Sequence, residues 1–388
     1  MNSSRIDRSP IAEWWRTVDR WFLTAFLLLM GLGLVLSFAA SPAVAERISK
    51  GDLDPMYFVE RQFFYMFMAF LTLIGMSFVP SIWVRRTAIV LFTVFLMLMF
   101  ATLFFGMEAK GSTRWLRVAG MSIQPSEFLK PTFVVVCAWL FSIRETRPDI
   151  PGNLLGILVF VIVAGILLLQ PDLGQTMLIG LTWGVMFFMA GLSWIWIVAL
   201  VGVGVGGGFL AYLTFSHVTQ RVNQFMSGAL EENGQIERAI EAIQNGGWLG
   251  RGPGEGTVKM GLPDSHTDFV FAVAGEEFGI IVCALIAIVF AFIVMRALVF
   301  SFGEEDSFRR LAVAGLAANF GFQALINMAV NLHLMPPKGM TLPFISYGGS
   351  SLTAVAFGMG MMLALSRKRP EAAMSPRQRP AFGKQVLA

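Results

Sequence analysis

The chain has 388 residues, of which 56% are hydrophobic and 14% charged, and its mean hydropathy is +0.68. A soluble domain averages about 45–50% apolar and about 25% charged residues, so this composition excludes a soluble enzyme and points to a polytopic membrane protein. The net charge of +4 sits in Arg and Lys clusters at the ends of apolar segments, where they meet anionic membrane lipids; no basic stripe with nucleic-acid motifs accompanies them, which excludes nucleic acid as a partner.

A membrane-spanning helix needs roughly 20 apolar residues. Ten segments qualify, at 21–40, 61–79, 87–105, 127–143, 153–170, 175–192, 193–215, 269–295, 311–330 and 347–366. The expected fold is therefore an all-α polytopic bundle of ten transmembrane helices, with both termini on one side. Arg5, Arg8, Arg16 and Arg20, the turns at Arg85-Arg86, Arg144 and Arg147, then Arg296, Arg309 and Arg310, and the tail from Arg367 all fall on one face. By the positive-inside rule that face is cytoplasmic. Residues 1–20 form a cytoplasmic segment, 21–366 the membrane domain, and 367–388 a basic tail whose Arg, Pro and Ser content predicts disorder.

The first span is followed by Ala43-Val44-Ala45, which resembles a cleavage site. Its apolar core exceeds the 7–15 residues of a secretory signal, so it reads as a retained span. Cys137 and Cys283 lie inside spans as small hydrophobes, with no disulfide or metal spacing. Two outer segments are long, 106–126 and 216–268. The second is the large extracytoplasmic loop between helices 7 and 8.

In the first outer segment, Gly111-Ser112-Thr113-Arg114-Trp115-Leu116-Arg117 places two guanidiniums beside an interfacial Trp. Arg suits bidentate phosphate binding, and interfacial anchoring fits the same residues. Gln124-Pro125-Ser126-Glu127 then opens the fourth span, with Lys130 three residues on and on the same helix face. An ionisable residue within a span costs about 2.5–3.5 kcal/mol on insertion scales, so Glu127 and Lys130 read as a pair. The competing reading is a capping Glu and a Lys that reaches the surface. Gln170-Pro171-Asp172-Leu173-Gly174 is a turn in which Asp172 can cap the next helix. Gly202, Gly204, Gly206, Gly207 and Gly208 in the seventh span read as a helix-packing surface.

In the large loop, Ile236, Ile240 and Ile243 share one helix face opposite Glu237, Arg238 and Glu241, predicting a short amphipathic helix over 235–244. Gly246 to Gly256 carries six glycines in eleven residues without a following Lys-Ser/Thr pair, so a flexible, often-turning loop is favoured over a phosphate cradle. Leu262-Pro263-Asp264-Ser265-His266-Thr267-Asp268-Phe269 is a polar knot at the membrane surface, followed by Glu276-Glu277. Asp268 is readable both as a helix N-cap and as a base. The last outer stretch runs from Met335-Pro336-Pro337-Lys338-Gly339 into Leu342-Pro343-Phe344-Ile345-Ser346-Tyr347-Gly348-Gly349-Ser350. Such a Pro- and Gly-rich helix mouth predicts non-helical backbone lining a wet cavity.

Taken together, Arg114-Trp115, Gln124-Pro125-Ser126-Glu127 with Lys130, Gln170 to Gly174, His266-Thr267-Asp268-Phe269 with Glu276, Glu277 and Gly279, and Pro343 to Ser350 resemble the SEDS family (shape, elongation, division and sporulation). The resemblance covers residues 20–368, with five unusual motifs in the family's order, and is nearer the division branch than the elongation branch. Lys110-Gly111-Ser112-Thr113 departs from the family's usual Asn-Gly. The resemblance implies a peptidoglycan glycosyltransferase of the bacterial inner membrane at the division septum. It would polymerise lipid II beside a class B penicillin-binding protein transpeptidase and other divisome membrane proteins. It further implies Asp268 as general base, substrate contacts from Arg114, Glu127, Lys130, His266, Thr267, Lys338 and Ser346, and support from Asp172, Glu276 and Glu277. A divalent cation, Mg²⁺ or Mn²⁺, is the cofactor such a reaction could use at the pyrophosphate. The rival functions are a lipid II flippase, which needs polar groups through the whole depth of the bundle, and a division scaffold, which leaves the charges at the helix mouths unexplained.

Overall fold

The computed structural model describes residues 9–49, 54, 56–109, 112–118, 121–191, 194–214, 219, 223, 234–336 and 339–368. The chain opens with helix α1 (Pro10–Thr17), which Ser9 caps by accepting from the Ala12 N–H at 3.2 Å. Its Trp14 is buried, stacks on Phe78 at 4.8 Å and donates its indole N–H to Ser77 at 2.9 Å. Helices α2 (Arg20–Ser49), α3 (Tyr57–Ser77) and α4 (Ser81–Phe105) follow. α2 runs without interruption through Ala43-Val44-Ala45, with Ala40 and Ser41 packed inside.

After α4 the chain turns into three short strands, β1 (Met107–Ala109), β2 (Ser112–Val118) and β3 (Met121–Ile123), paired antiparallel in the order β1-β2-β3. This meander corrects the all-α expectation. It forms because this segment carries the strand-favouring Thr113, Trp115, Val118 and Ile123, and an antiparallel meander satisfies its own backbone. Helices α5 (Pro125–Thr146), α6 (Gly152–Leu169), α7 (Leu173–Met189) and α8 (Trp194–Thr214) come next. They are followed by amphipathic α9 (Gln235–Gly246), a 3₁₀ turn over Val258–Gly261, α10 (Val270–Gly303), α11 (Ser307–Asn331) and α12 (Gly349–Leu365).

Among the described residues, seven helices are long and apolar enough to cross a membrane: α2, α3, α4, α5, α6, α10 and α11. The shorter apolar helices α7, α8 and α12 lie where three more spans were expected. In the most apolar window of α5, 83% of the residues are buried, against 22% in α4 and in α6. α5 is therefore the central post, packed against α11 and α12, while α4 and α6 present apolar faces outward.

Two expectations about glycine change. A Cβ added at any of Gly202, Gly204, Gly206, Gly207 and Gly208 meets nothing within 4 Å, so this stripe of α8 packs on no described part of the chain. The Gly246–Gly256 loop turns often, as expected, with Gly247, Gly250, Gly252 and Gly254 at positive φ, but it is held in a break in α10 rather than flexible. Gly279 interrupts α10 with φ 79° and ψ 176°, a conformation that costs other residues dearly. The break frees the carbonyls of Glu276 and Glu277, which accept from Arg251 N at 2.9 Å and Gly252 N at 3.0 Å. In return, Ile280 N and Ile281 N donate to the carbonyls of Gly247 and Trp248. The expected eighth span is thus two helices joined at Gly279, and loop backbone supplies four hydrogen bonds to the groups around the break.

The arginine-rich helix ends converge at one end of the bundle. Arg309 donates to the carbonyls of Leu365 and Arg367, Arg310 reaches Glu145 at 3.3 Å, and Arg367 donates to Thr17 at 3.0 Å. The chemistry-bearing groups gather at the helix ends remote from these contacts.

Candidate active site

The site begins with the charged pair of α5. Lys130 Nζ lies 2.9 Å from Glu127 Oε2, and the two residues are only 2% and 5% exposed. Neither is a snorkelling surface charge, and a buried ammonium needs its full set of partners. Lys130 also donates to Gln323 Oε1 of α11 at 2.9 Å. Glu127 accepts from Gln175 of α7 at 2.8 Å and from Ser351 of α12 at 3.2 Å. The Ser351 and Thr341 hydroxyls are 2.7 Å apart, and Gln323 donates to the Thr341 carbonyl at 3.1 Å. One closed network thus joins α5, α7, α11, α12 and the stretch before α12.

Asp172 extends it outward. As N-cap of α7, it accepts from the Gln175 N–H at 3.2 Å through Oδ1, while Oδ2 lies 3.3 Å from Arg114 of β2. Arg114 also donates to the Pro171 carbonyl at 3.3 Å. Cap and ion pair are therefore both present in one carboxylate. Burial pushes the Asp172 carboxyl above its ordinary value, and the Arg114 guanidinium and the Gln175 N–H pull it back. Arg114 keeps 24% of its side chain exposed, so it is the outward cation of the network and Lys130 the inward one.

Asp268 occupies a turn in which the Asp264 carbonyl accepts from the N–H groups of Thr267, Asp268 and Phe269. It is not the N-cap of α10. Phe269 holds that position without a side-chain bond, and the Ala272 N–H is instead capped by Asn331 Oδ1 of α11 at 3.1 Å. The Asp268 backbone carbonyl accepts from Asn327 at 2.8 Å and from Asn331 at 3.0 Å. Its half-buried carboxylate borders a small cleft with Gln235, Asn327, Val330, Gly339 and Met340.

The neighbouring polar residues brace this turn. Thr267 donates its hydroxyl to the Asp264 carbonyl at 3.2 Å, and its own carbonyl accepts from Ser346 at 2.5 Å. Ser346 Oγ accepts from the Leu342 N–H at 2.7 Å. The His266 ring lies between Phe58 at 5.0 Å and Tyr347 at 5.2 Å, and its carbonyl accepts from Tyr347 N. The stretch 339–348 is non-helical, as its Pro and Gly content predicted, and Phe344 sits at φ 62°. α2 grips it there: a Cβ on Gly33 would stand 2.3 Å from the Phe344 carbonyl.

Glu276 and Glu277 face away from this cleft and into the loop. Glu276 accepts from Val258 N, Lys259 N and Asn245, and Glu277 accepts from Gly254 N and pairs with Lys259. Both carboxylates are fully buried within the protein, and their hydrogen bonds make them the clamp of the Gly246–Gly256 loop. Lys338 lies outside the described residues. The sequence reading missed Gln175, Lys259, Gln323, Asn327, Thr341, Asn331 and Ser351. A signal existed for three of them, since Gln323, Asn327 and Asn331 recur every four residues along one face of an apolar helix.

Comparison with known proteins gives concordant likenesses. Residues 19–371 match the model of the family described as "Cell cycle protein", which takes in FtsW, RodA and SpoVE. A protein of Caulobacter vibrioides named "Probable peptidoglycan glycosyltransferase FtsW" is 45% identical over 95% of this chain and 94% of its own. One of the same name from Trichlorobacter lovleyi is 34% identical over 90% and 93%. A solved structure described as "Structural coordination of polymerization and crosslinking by a peptidoglycan synthase complex" superimposes with a TM-score of 0.76 at 26% identity, over 90% of this chain and 97% of that one. The rod shape determining protein RodA of Thermus thermophilus gives 0.67 at 26% identity, over 91% and 97%.

Proposed function

The chain belongs to the cell cycle protein family of FtsW, RodA and SpoVE, and from its clustered polar site we infer how it works as a peptidoglycan glycosyltransferase of the FtsW kind. The substrate is lipid II. Arg114, Lys130 and Lys338 hold the donor's pyrophosphate, and Asp268 is the general base. Its carboxylate takes the proton from the 4-hydroxyl of the acceptor sugar as that oxygen attacks C1 of the donor. The C1–pyrophosphate bond breaks as the new bond forms, giving a β-1,4 linkage with inversion, and the proton on Asp268 passes to water at the outer surface. No acid is needed for the leaving group, because pyrophosphate departs as a stable anion.

The observation that carries this reading is the closed network from Arg114 through Asp172, Glu127 and Lys130 to Gln323, joined along α11 to the Asp268 turn. It pairs a cation site with a carboxylate at one end of the bundle, where a lipid-linked sugar phosphate would present both reacting ends. A flippase needs such groups through the whole membrane depth, so the clustering favours the enzyme. Among the described residues no three of His, Cys, Asp and Glu converge on one point. These residues therefore offer no cage of their own, and a Mg²⁺ or Mn²⁺ ion would enter on the pyrophosphate oxygens.

In this reading all ten apolar helices span the bacterial inner membrane at the septum. Both termini are cytoplasmic, and the large loop is outside beside a class B penicillin-binding protein and other divisome proteins. The test is purified protein with that transpeptidase and labelled lipid II in liposomes. Glycan chains are the expected product; movement of lipid II across the bilayer without polymer would replace the enzyme by the flippase.

A further inference from the structure

α11 carries three buried amides on one face, Gln323, Asn327 and Asn331, spaced four residues apart and spanning about 12 Å along the helix axis. Each ties two different parts of the site. Gln323 accepts from Lys130 at 2.9 Å and donates to the Thr341 carbonyl at 3.1 Å. Asn327 donates to the Met340 carbonyl at 2.7 Å and to the Asp268 carbonyl at 2.8 Å. Asn331 donates to the Asp268 carbonyl at 3.0 Å and caps α10 through Ala272 N. Its second N–H goes back to the Asn327 carbonyl at 2.9 Å.

Such full use of amide donors is costly to maintain in an apolar helix, since any amide left without its partner loses about 1–3 kcal/mol. Fold stability alone asks for less, because leucines at these positions would pack an apolar helix without that risk. What the amides add is a fixed spacing. Lys130 hangs from one end of the row and Asp268 from the other, and the non-helical stretch at 340–341 is pinned between them.

We propose that Gln323, Asn327 and Asn331 form a positioning rack that sets the distance and orientation of Asp268 relative to the Lys130 cation site, and so aligns the acceptor hydroxyl with the donor carbon. This rests on the reading of Asp268 as general base. None of the three amides needs to touch the reacting atoms. Because the rack grips the backbone of Asp268, losing one hook shifts the carboxylate without removing it, and a displacement of about 1 Å can cost up to about a hundredfold in rate.

The test is a double-mutant cycle on the full complex with its transpeptidase, following polymerisation of labelled lipid II. Asn327→Leu removes two hooks. Asn331→Asp keeps the oxygen that caps Ala272 N–H while losing the donor to Asp268, so it guards against a variant that simply misfolds; thermal unfolding of both variants is measured alongside. Each is expected to lower kcat by about tenfold to a hundredfold with KM for lipid II changed by less than about twofold. Placed in an Asp268→Asn background, each should add almost nothing, because a base that is absent cannot be misplaced. A folded Asn327→Leu or Asn331→Asp protein with normal kcat overturns the proposal, and so does an equal loss in both backgrounds, which is the mark of a purely structural amide. Failure of the base assignment is distinct from either, since Asp268→Asn would then itself stay active.

Discussion

The Glu127–Lys130 pair fixes the character of the site at the level of single residues. Each charge is almost wholly buried, and truncating one partner of a buried pair costs about 3–5 kcal/mol because the other is left uncompensated. Glu127→Ala and Lys130→Ala should therefore each abolish most lipid II polymerisation, with the double variant no worse than either single one. Two active single variants would reduce the pair to an anchor. Arg114 differs: a quarter of its side chain is exposed beside Asp172, and in the proposed function this is the cation that meets substrate from the solvent side. Arg114→Lys keeps the charge and loses the planar fork. Its expected effect is a KM for lipid II raised about tenfold with kcat little changed, and an unaltered KM removes Arg114 from substrate binding. Spacing and charge made Glu127 and Lys130 legible as a pair and Asp172 as a helix cap, whereas Asp268 read equally as cap or base until the family resemblance implied the base. The amides that connect them showed only a spacing of four along an apolar helix, because an Asn or Gln in an apolar run has no partner-specific pattern until the fold shows which carbonyl it faces.

The element of most consequence is α10, which hydropathy reads straight through. Gly279 is one small residue in an apolar run, and nothing local says that Gly246–Gly256 will lie against it. The clamp depends on distant groups: Lys259 with Glu277, Glu276 with the 258–259 backbone, and the Gly250 backbone so close to Glu277 that a Cβ there would stand 2.1 Å from its carbonyl. Gly279→Ala would put a Cβ 2.3 Å from the Trp248 carbonyl at a positive φ. That should lower the unfolding temperature in detergent and the yield of the membrane protein, with a cost above about 1 kcal/mol. Gly303→Ala at the far end of the same helix meets nothing within 4 Å and serves as the control; equal behaviour of the two would show that the break carries no stability. The strands β1–β3 escaped the sequence reading for a related reason, since 106–126 reads as an outer segment with interfacial Trp and Arg, and only pairing shows the sheet.

Across the whole molecule, two ends with opposite tasks emerge. Arginines and helix termini knit one end together through Arg309, Arg310 and Arg367, and the polar network with Asp268 closes the other. The seven helices that are long and apolar enough to cross a membrane among the described residues were legible because lipid demands about 20 apolar residues in a row. The way they pack to bring α7, α11 and α12 onto α5 was not. Sidedness is checked in spheroplasts on a variant lacking Cys137 and Cys283. An impermeant maleimide should label Glu255→Cys without permeabilisation and Asp149→Cys only after it. The reverse pattern would invert the orientation and place the site in the cytoplasm.

The central claim is that the carboxylate of Asp268 takes the acceptor proton. The most direct measurement is polymerisation of labelled lipid II by Asp268→Asn in complex with its transpeptidase. The substitution keeps size, and the backbone carbonyl that Asn327 and Asn331 grip is untouched, so insertion and partner binding should persist. A positioned base contributes about 10²–10⁴-fold, so kcat should fall by at least about a hundredfold. A folded, partner-bound Asp268→Asn protein that makes glycan at the normal rate would contradict it.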